Sequence, residues 1–103
     1  MEKITNRSFD KIYSIIEIMM PLLNCNYTTA FLILKNTQTY KAILEGDRAT
    51  LYQSAACCVE DIGRELYCMD NSYATYFSNE RINNAIDVAR EYNQLLMQKY
   101  SVI

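Results

Sequence analysis

The sequence predicts an all-α fold, a compact array of about five helices with the last one long. Three observations carry that expectation. Apolar residues recur at three- and four-residue steps along most of the 103-residue chain, which is the period of a helix and not of a strand. Gly occurs 2 times and Pro 1 time, leaving little material for the tight hairpins of a β-rich protein. Half of the residues are apolar and 21% are charged, the balance of a globular chain and too apolar for a disordered one. A chain of this length buries roughly two-thirds of its unfolded surface. It holds no repeat, low-complexity tract or linker, so residues 1–103 are expected to form a single helical domain.

The first helix is expected from about Ser8 to Leu23, with Ser8 or Asn6 as its cap. Phe9, Ile12, Ile16, Met19 and Leu23 mark one stripe and Ile15, Ile18 and Leu22 a second. So wide an apolar face belongs to a central helix or to one at an oligomer interface. Pro21 either bends this helix or opens a new turn, because its ring blocks a backbone hydrogen bond. Asn26 caps a second helix to about Lys35, with Tyr27, Ala30, Phe31 and Leu34 on one face. Asn36 and Thr37 break the pattern, and a third helix runs from Gln38 to Glu45 with Gly46 in the left-handed position after it.

Asp47 to Gln53 reads as an exposed connector anchored by Leu51 and Tyr52. Ser54 begins the fourth helix, whose inner face is Ala55, Cys58, Val59, Ile62 and Leu66. Glu60 and Arg64 are four residues apart on its outer side, a pair contributing a few tenths of a kcal/mol. Gly63 inside this helix costs about 1 kcal/mol relative to Ala, which close helix packing would explain. Met69 to Phe77 reads as a loop. Ser78 then caps a long last helix to about Tyr100, with Ile82, Ala85, Ile86, Ala89, Tyr92 and Leu96 inward.

Composition excludes several kinds of chemistry. The chain has no His, which removes the commonest general base, transition-metal ligand and physiological pH switch. Its net charge is -2, divided as +1 over residues 1–50 and -3 over 51–103. Neither half has the clustered cations that phosphate neutralisation requires, which argues against nucleic acid as a partner. Cys25, Cys57, Cys58 and Cys68 show no C-x-x-C spacing, so neither a zinc set nor a disulfide framework is expected. Half-buried reduced thiols and a cytoplasmic location fit them best. No secretory signal opens the chain, and the apolar run Ile12–Leu23 is too short to span a bilayer and carries Glu17, so no membrane partner is expected.

No catalytic residue, cofactor or metal site is expected. A Cys or Ser nucleophile lacks a paired base here, and no G-x-S-x-G or S-x-x-K motif occurs. Glu60, Asp61 and Glu65 cluster on one helix, but Arg64 lies among them and a solvated face accounts for all four. Oxygen-ligand metal spacing is absent. The pair Thr28–Lys35 and Gln38–Glu45 has helix-turn-helix proportions. Its reading helix offers only Gln38, Thr39 and Lys41, with Glu45 facing phosphates. Tyrosine is the informative excess, 9 Tyr with 3 Phe and no Trp, a residue favoured at interfaces. Tyr40, Tyr52, Tyr73, Tyr76 and Phe77 are the candidate partner-binding residues, and core lids with wet hydroxyls are the alternative for the tyrosines.

One resemblance adds to this. The segment Ala30–Lys35, Thr39-Tyr40-Lys41-Ala42-Ile43-Leu44, the connector Leu51-Tyr52-Gln53-Ser54 and the run Val59–Leu66 resemble a loose family of short helical bacterial proteins of unknown function. Thr39-Tyr40 and Tyr52–Ser54 are the distinctive parts, and the likeness covers about residues 9–66. Members are often encoded beside toxin-like or effector-like proteins. The resemblance therefore implies a role in binding or neutralising a larger protein, and it implies no activity or site residues. The loop at Met69–Phe77 and the long last helix lie outside it. Together these readings lead us to expect a non-catalytic protein–protein interaction module, antitoxin-like or inhibitor-like, acting by occlusion of a larger partner. A homodimer that buries the second stripe of the first helix is compatible with it. A helix-turn-helix DNA-binding regulator is the alternative.

Overall fold

The computed structural model describes the backbone of residues 6–101 and the side chains of 7–95 apart from 74 and 93. Among the described residues there are six α-helices, one 3-10 turn and no strand: α1 Asn6–Leu23, α2 Tyr27–Leu34, α3 Gln38–Leu44, α4 Arg48–Tyr52, α5 Ala55–Met69, the 3-10 turn Asn71–Thr75, and α6 Asn79–Ser101. The all-α expectation holds. α1 is the hub, packing against every other α-helix, while the 3-10 turn packs on α5.

Both apolar stripes of α1 are spent on that role. Ile12, Ile15, Ile16, Ile18, Met19 and Leu22 are all buried, so the stripe Ile15–Ile18–Leu22 is covered within the chain and is not open to a second copy. Phe9, placed on the first stripe by its spacing, is instead 49% exposed. α1 is already helical at Asn6, so Ser8 is not a cap. It is buried inside the helix and its hydroxyl donates to the Ile43 carbonyl of α3 at 3.1 Å. Pro21 opens no new turn: it lies inside α1, which continues to Leu23. Asn24 takes a left-handed φ of 53°, and the Cys25 N–H returns to the Met20 carbonyl at 3.0 Å, closing the helix as a Schellman-type cap does.

Capping punctuates the rest of the chain. Asn26 Oδ1 accepts from Thr29 N–H at 2.8 Å and starts α2. Thr37 Oγ1 donates to the Leu34 carbonyl at 2.7 Å and accepts from Tyr40 N–H at 3.1 Å, so one buried hydroxyl ends α2 and begins α3. Gly46, at φ 76°, ends α3 as its position predicts, with Asp47 N–H reaching back to the Ala42 carbonyl at 3.0 Å. Asp47 Oδ2 then accepts from Thr50 N–H at 3.0 Å, which makes the expected connector a one-turn helix, α4. Five residues are too few to display a period, and only the cap could have announced it. Ser54 and Ser78 accept from Cys57 and Arg81 N–H as read from the sequence. The Met69–Phe77 segment also differs from a plain loop, since Asp70 Oδ1 accepts from Ser72 N–H at 2.9 Å and starts the 3-10 turn.

The core of α5 is Cys58, Val59, Ile62, Gly63 and Leu66, with Ala55 packed at its edge. Arg64 pairs with Asp61 at 2.6 Å and not with Glu60. Gly63 is packed against, but by a ring and not by a helix: an added Cβ would lie 2.6 Å from Phe77 Cδ1 and 2.9 Å from Phe77 Cβ. α6 buries Ile82, Ala85 and Ala89 and packs Ile86 at the core's edge. Tyr92, expected inward, is 57% exposed, and Leu96 lies outside the described side chains. Two cations close helix ends. Lys11 Nζ donates to the Gln53 carbonyl after α4, and Arg81 Nη2 donates to the Leu22 carbonyl of α1 at 2.8 Å.

Candidate functional site

The five expected contact residues do not form one patch. Tyr40 is half-buried, edge-on to Phe31 with ring centroids 5.9 Å apart. Tyr73 and Phe77 are half-buried lids on the core, 6.4 Å from each other. Tyr52 is 71% exposed, under the Arg7 guanidinium at 5.1 Å. Tyr76 is exposed, with Arg81 over its ring at 5.3 Å. Arg7 and Leu22, the α1 residues beside these two groups, are about 22 Å apart along the helix axis at 1.5 Å per residue. Tyr73, Tyr76 and Phe77 stay together; Tyr40 and Tyr52 lie elsewhere.

What the fold does assemble is a groove of about 600 Å³ between α1, α2 and α6. Tyr13 and Glu17 of α1, Tyr27 of α2, and Val88 and Tyr92 of α6 are among its lining residues, together with Met20, Pro21 and Cys25. The Tyr13 and Tyr27 rings are 6.1 Å apart, tilted at 41°. Burial, and then the neighbouring Tyr13 charge and hydroxyl, push the Tyr27 phenol above its ordinary value. Burial raises the Cys25 thiol in the same way, so both groups are uncharged at neutral pH. The sequence gives Tyr13 no place, sets Tyr27 on a face with Ala30, Phe31 and Leu34, and sets Tyr92 on the inward face of the last helix. Tyr13 lies just outside the first apolar stripe of α1, four residues after Phe9 and three before Ile16, but three separate elements have to meet before the groove exists.

Of the groups considered for chemistry, Cys58, Asp61 and Glu65 are engaged in structure, while Cys57 and Cys68 are exposed thiols. Lys11 and Asp61 both act on the Cys58 thiol. Yet it has 0% exposure, contacts the Thr50 carbonyl at 3.8 Å, and is pushed up by burial, with Lys11 pulling the other way. Asp61 is held by Arg64 and accepts from Gln53 Nε2 at 3.2 Å. Glu65 caps α3: Gln38 N–H donates at 2.5 Å, Thr39 N–H at 3.2 Å and Thr39 Oγ1 at 2.7 Å. Among the described residues no group of three Cys, Asp or Glu is placed to hold a metal ion.

The helix-turn-helix proportions of α2 and α3 are real, but the reading end is obstructed. Thr39, one of the three candidate readers, is buried and bonded to Glu65. The Glu65 carboxylate sits on the N-terminus of α3, where a recognition helix would approach a phosphate-lined groove. Among the described residues no helix is long and apolar enough to cross a membrane. No family model, curated protein or solved structure matches the chain.

Proposed function

We propose that this chain is a small non-catalytic protein–protein interaction module that acts by occlusion, in the manner of an antitoxin or inhibitor covering a site on a larger protein. One observation carries the reading: the α1–α2–α6 groove presents three tyrosines that are 53%, 42% and 57% exposed, Tyr13, Tyr27 and Tyr92. Tyrosines in that state are the residues that anchor interfaces, because they bring large rigid area and a polar tip. The anchors are therefore placed on the groove, with Tyr52 and Tyr76 as exposed outliers and Tyr40, Tyr73 and Phe77 as lids of the core. Cys25, Cys57, Cys58 and Cys68 are all free thiols, which suits a reducing compartment such as the cytoplasm.

The engagement of Cys58, Asp61 and Glu65 in structure supports the non-catalytic part of the reading, and the Glu65 carboxylate on α3 counts against the DNA-binding alternative. The test is capture from the native host with tagged wild type and with a Tyr27→Ser/Tyr92→Ser variant whose helicity is unchanged. The expected result is a larger protein retained by wild type, lost by the variant, and losing its own activity in proportion to the chain bound. A captured protein whose activity is unaffected rejects occlusion. Retardation of random duplex DNA at low salt would favour the regulator instead.

A further inference from the structure

Tyrosine rings hold cations at two places in this fold. The Arg7 guanidinium lies over the Tyr52 ring at 5.1 Å and that of Arg81 over the Tyr76 ring at 5.3 Å. The groove between α1, α2 and α6 brings three more exposed tyrosines together, Tyr13, Tyr27 and Tyr92. Among the described residues no Lys or Arg of the chain lies over any of these three. Tyr13 and Tyr27, with centroids 6.1 Å apart and planes tilted at 41°, meet as two walls at an angle and not as a closed stack. Ring faces attract cations, the more so once the cation is stripped of water.

Glu17 is the one charged side chain among the described lining residues of the groove. Asp87, Arg90 and Glu91 are exposed on the same stretch of α6 but do not line it. Arg90 lines a separate depression with Ser14 and Gln94, which shares Glu17 and Ala89 with the groove. Because Glu17 borders both spaces, the preference is placed on the three rings and not on the carboxylate. Met20, Pro21, Val88 and Ala89 give the groove apolar surface, and its volume of about 600 Å³ is that of a small-molecule site. A primary ammonium would bring three strongly hydrated N–H donors to this lining. A quaternary ammonium has no N–H to satisfy and still meets the ring faces.

We propose that the groove binds a small organic cation, a quaternary ammonium with a short alkyl arm. Its head sits among Tyr13, Tyr27 and Tyr92, and its arm lies along Met20, Pro21 and Val88. This goes beyond the interaction reading above and does not rest on it. The rings supply the preference for positive charge, and the aliphatic lining supplies affinity that a neutral molecule of the same shape shares.

The probes that test it are hydroxybutyl-trimethylammonium and the neutral alcohol in which carbon replaces its nitrogen. Each is titrated into the full chain and followed by amide chemical shifts. The cation is expected to bind at least about tenfold more tightly than the alcohol, with its shifts centred on Tyr13, Tyr27 and Tyr92. Tyr27→Leu/Tyr92→Leu keeps apolar surface and removes two ring faces, so the two probes should then bind within about twofold of each other. Tyr27→Phe/Tyr92→Phe loses only hydroxyls and should retain the preference. Equal affinity in wild type, or no saturable binding of the cation, overturns the proposal. A preference that survives in the Leu variant, or shifts centred on another face, overturns the location, since the net charge of -2 would then explain the attraction. A preference lost in the Phe variant overturns the role of the ring faces. Capture and inhibition of a larger protein remains a separate measurement, so either reading can fail without the other.

Discussion

The Thr39 hydroxyl donates to Glu65 Oε2 at 2.7 Å across 26 residues of sequence. The same carboxylate takes the first two N–H groups of α3, so α5 supplies the cap that fixes α3 in place. Hydrogen bonds to a charged group contribute about 1.5–3 kcal/mol each when well placed. Replacing Glu65→Ala is expected to lower unfolding free energy by about 2 kcal/mol in urea titration. Thr39→Ala should cost less, and the two together should cost less than their sum. Strict additivity in that double-mutant cycle would show that the pair is not coupled.

Gly63 sits under the Phe77 ring, and this gives a substitution whose sign depends on its background. In wild type, Gly63→Ala gains about 1 kcal/mol of helix propensity but forces Phe77 aside, an overpacking that costs about 1–3 kcal/mol. The expected net is destabilising. With Phe77→Ala already in place the clash is gone, and Gly63→Ala should then stabilise by up to about 1 kcal/mol. Thermal melts of the four proteins decide it, and the same sign in both backgrounds would show that Phe77 is not what keeps the position small.

Asp47 and Asp70 are both held below the ordinary carboxylate value of 3.8, Asp47 by the Thr50 hydroxyl and N–H and Asp70 by the Ser72 N–H and hydroxyl. A carboxylate with a lowered folded value stabilises fully above its unfolded value and loses that contribution as pH falls through the folded one. Asn caps nearly as well and does not titrate. Asp47→Asn/Asp70→Asn is therefore expected to match wild type near pH 7 and to lose less stability between about pH 4 and pH 2. Urea midpoints across that range check it. Parallel curves would mean that these caps take no part in acid unfolding.

The four thiols should react in a fixed order. Cys57 and Cys68 are exposed, Cys25 is half-buried and Cys58 is buried. Burial also keeps the Cys25 and Cys58 thiols above their ordinary value, and the thiolate is the reactive form. With an aromatic disulfide reagent at pH 8, two thiols are expected to react promptly, Cys25 slowly, and Cys58 only on unfolding. Prompt reaction of Cys58 would contradict its enclosure beneath Thr50 and Gln53.

Local signals account for most of what the sequence disclosed. Asn26, Ser54, Ser78 and Gly46 act through neighbours two to five residues away, and the double stripe of α1 announces a helix covered on many sides. What escaped depends on distance. Ser8 reads as a cap because small hydroxyls usually are, and only the Ile43 carbonyl of α3 explains its burial. Glu65 reads as a solvated charge until α3 is set beside it. Tyr92 continues the inward spacing of α6 past Ala89, yet it lies at the groove and not in the core. The groove itself needs Tyr13, Tyr27 and Tyr92 from three elements, so no window of sequence contains it.

The position of α1 also bears on how the chain comes to be folded. α1 is made before any of the helices that cover it, and α6 is made last. At about 5–20 residues per second, roughly 4–14 s separate the synthesis of Leu23 from that of Leu95. Through that interval the apolar surface of α1 that α6 covers lacks that cover, and exposed surface of this kind makes incomplete chains prone to aggregate.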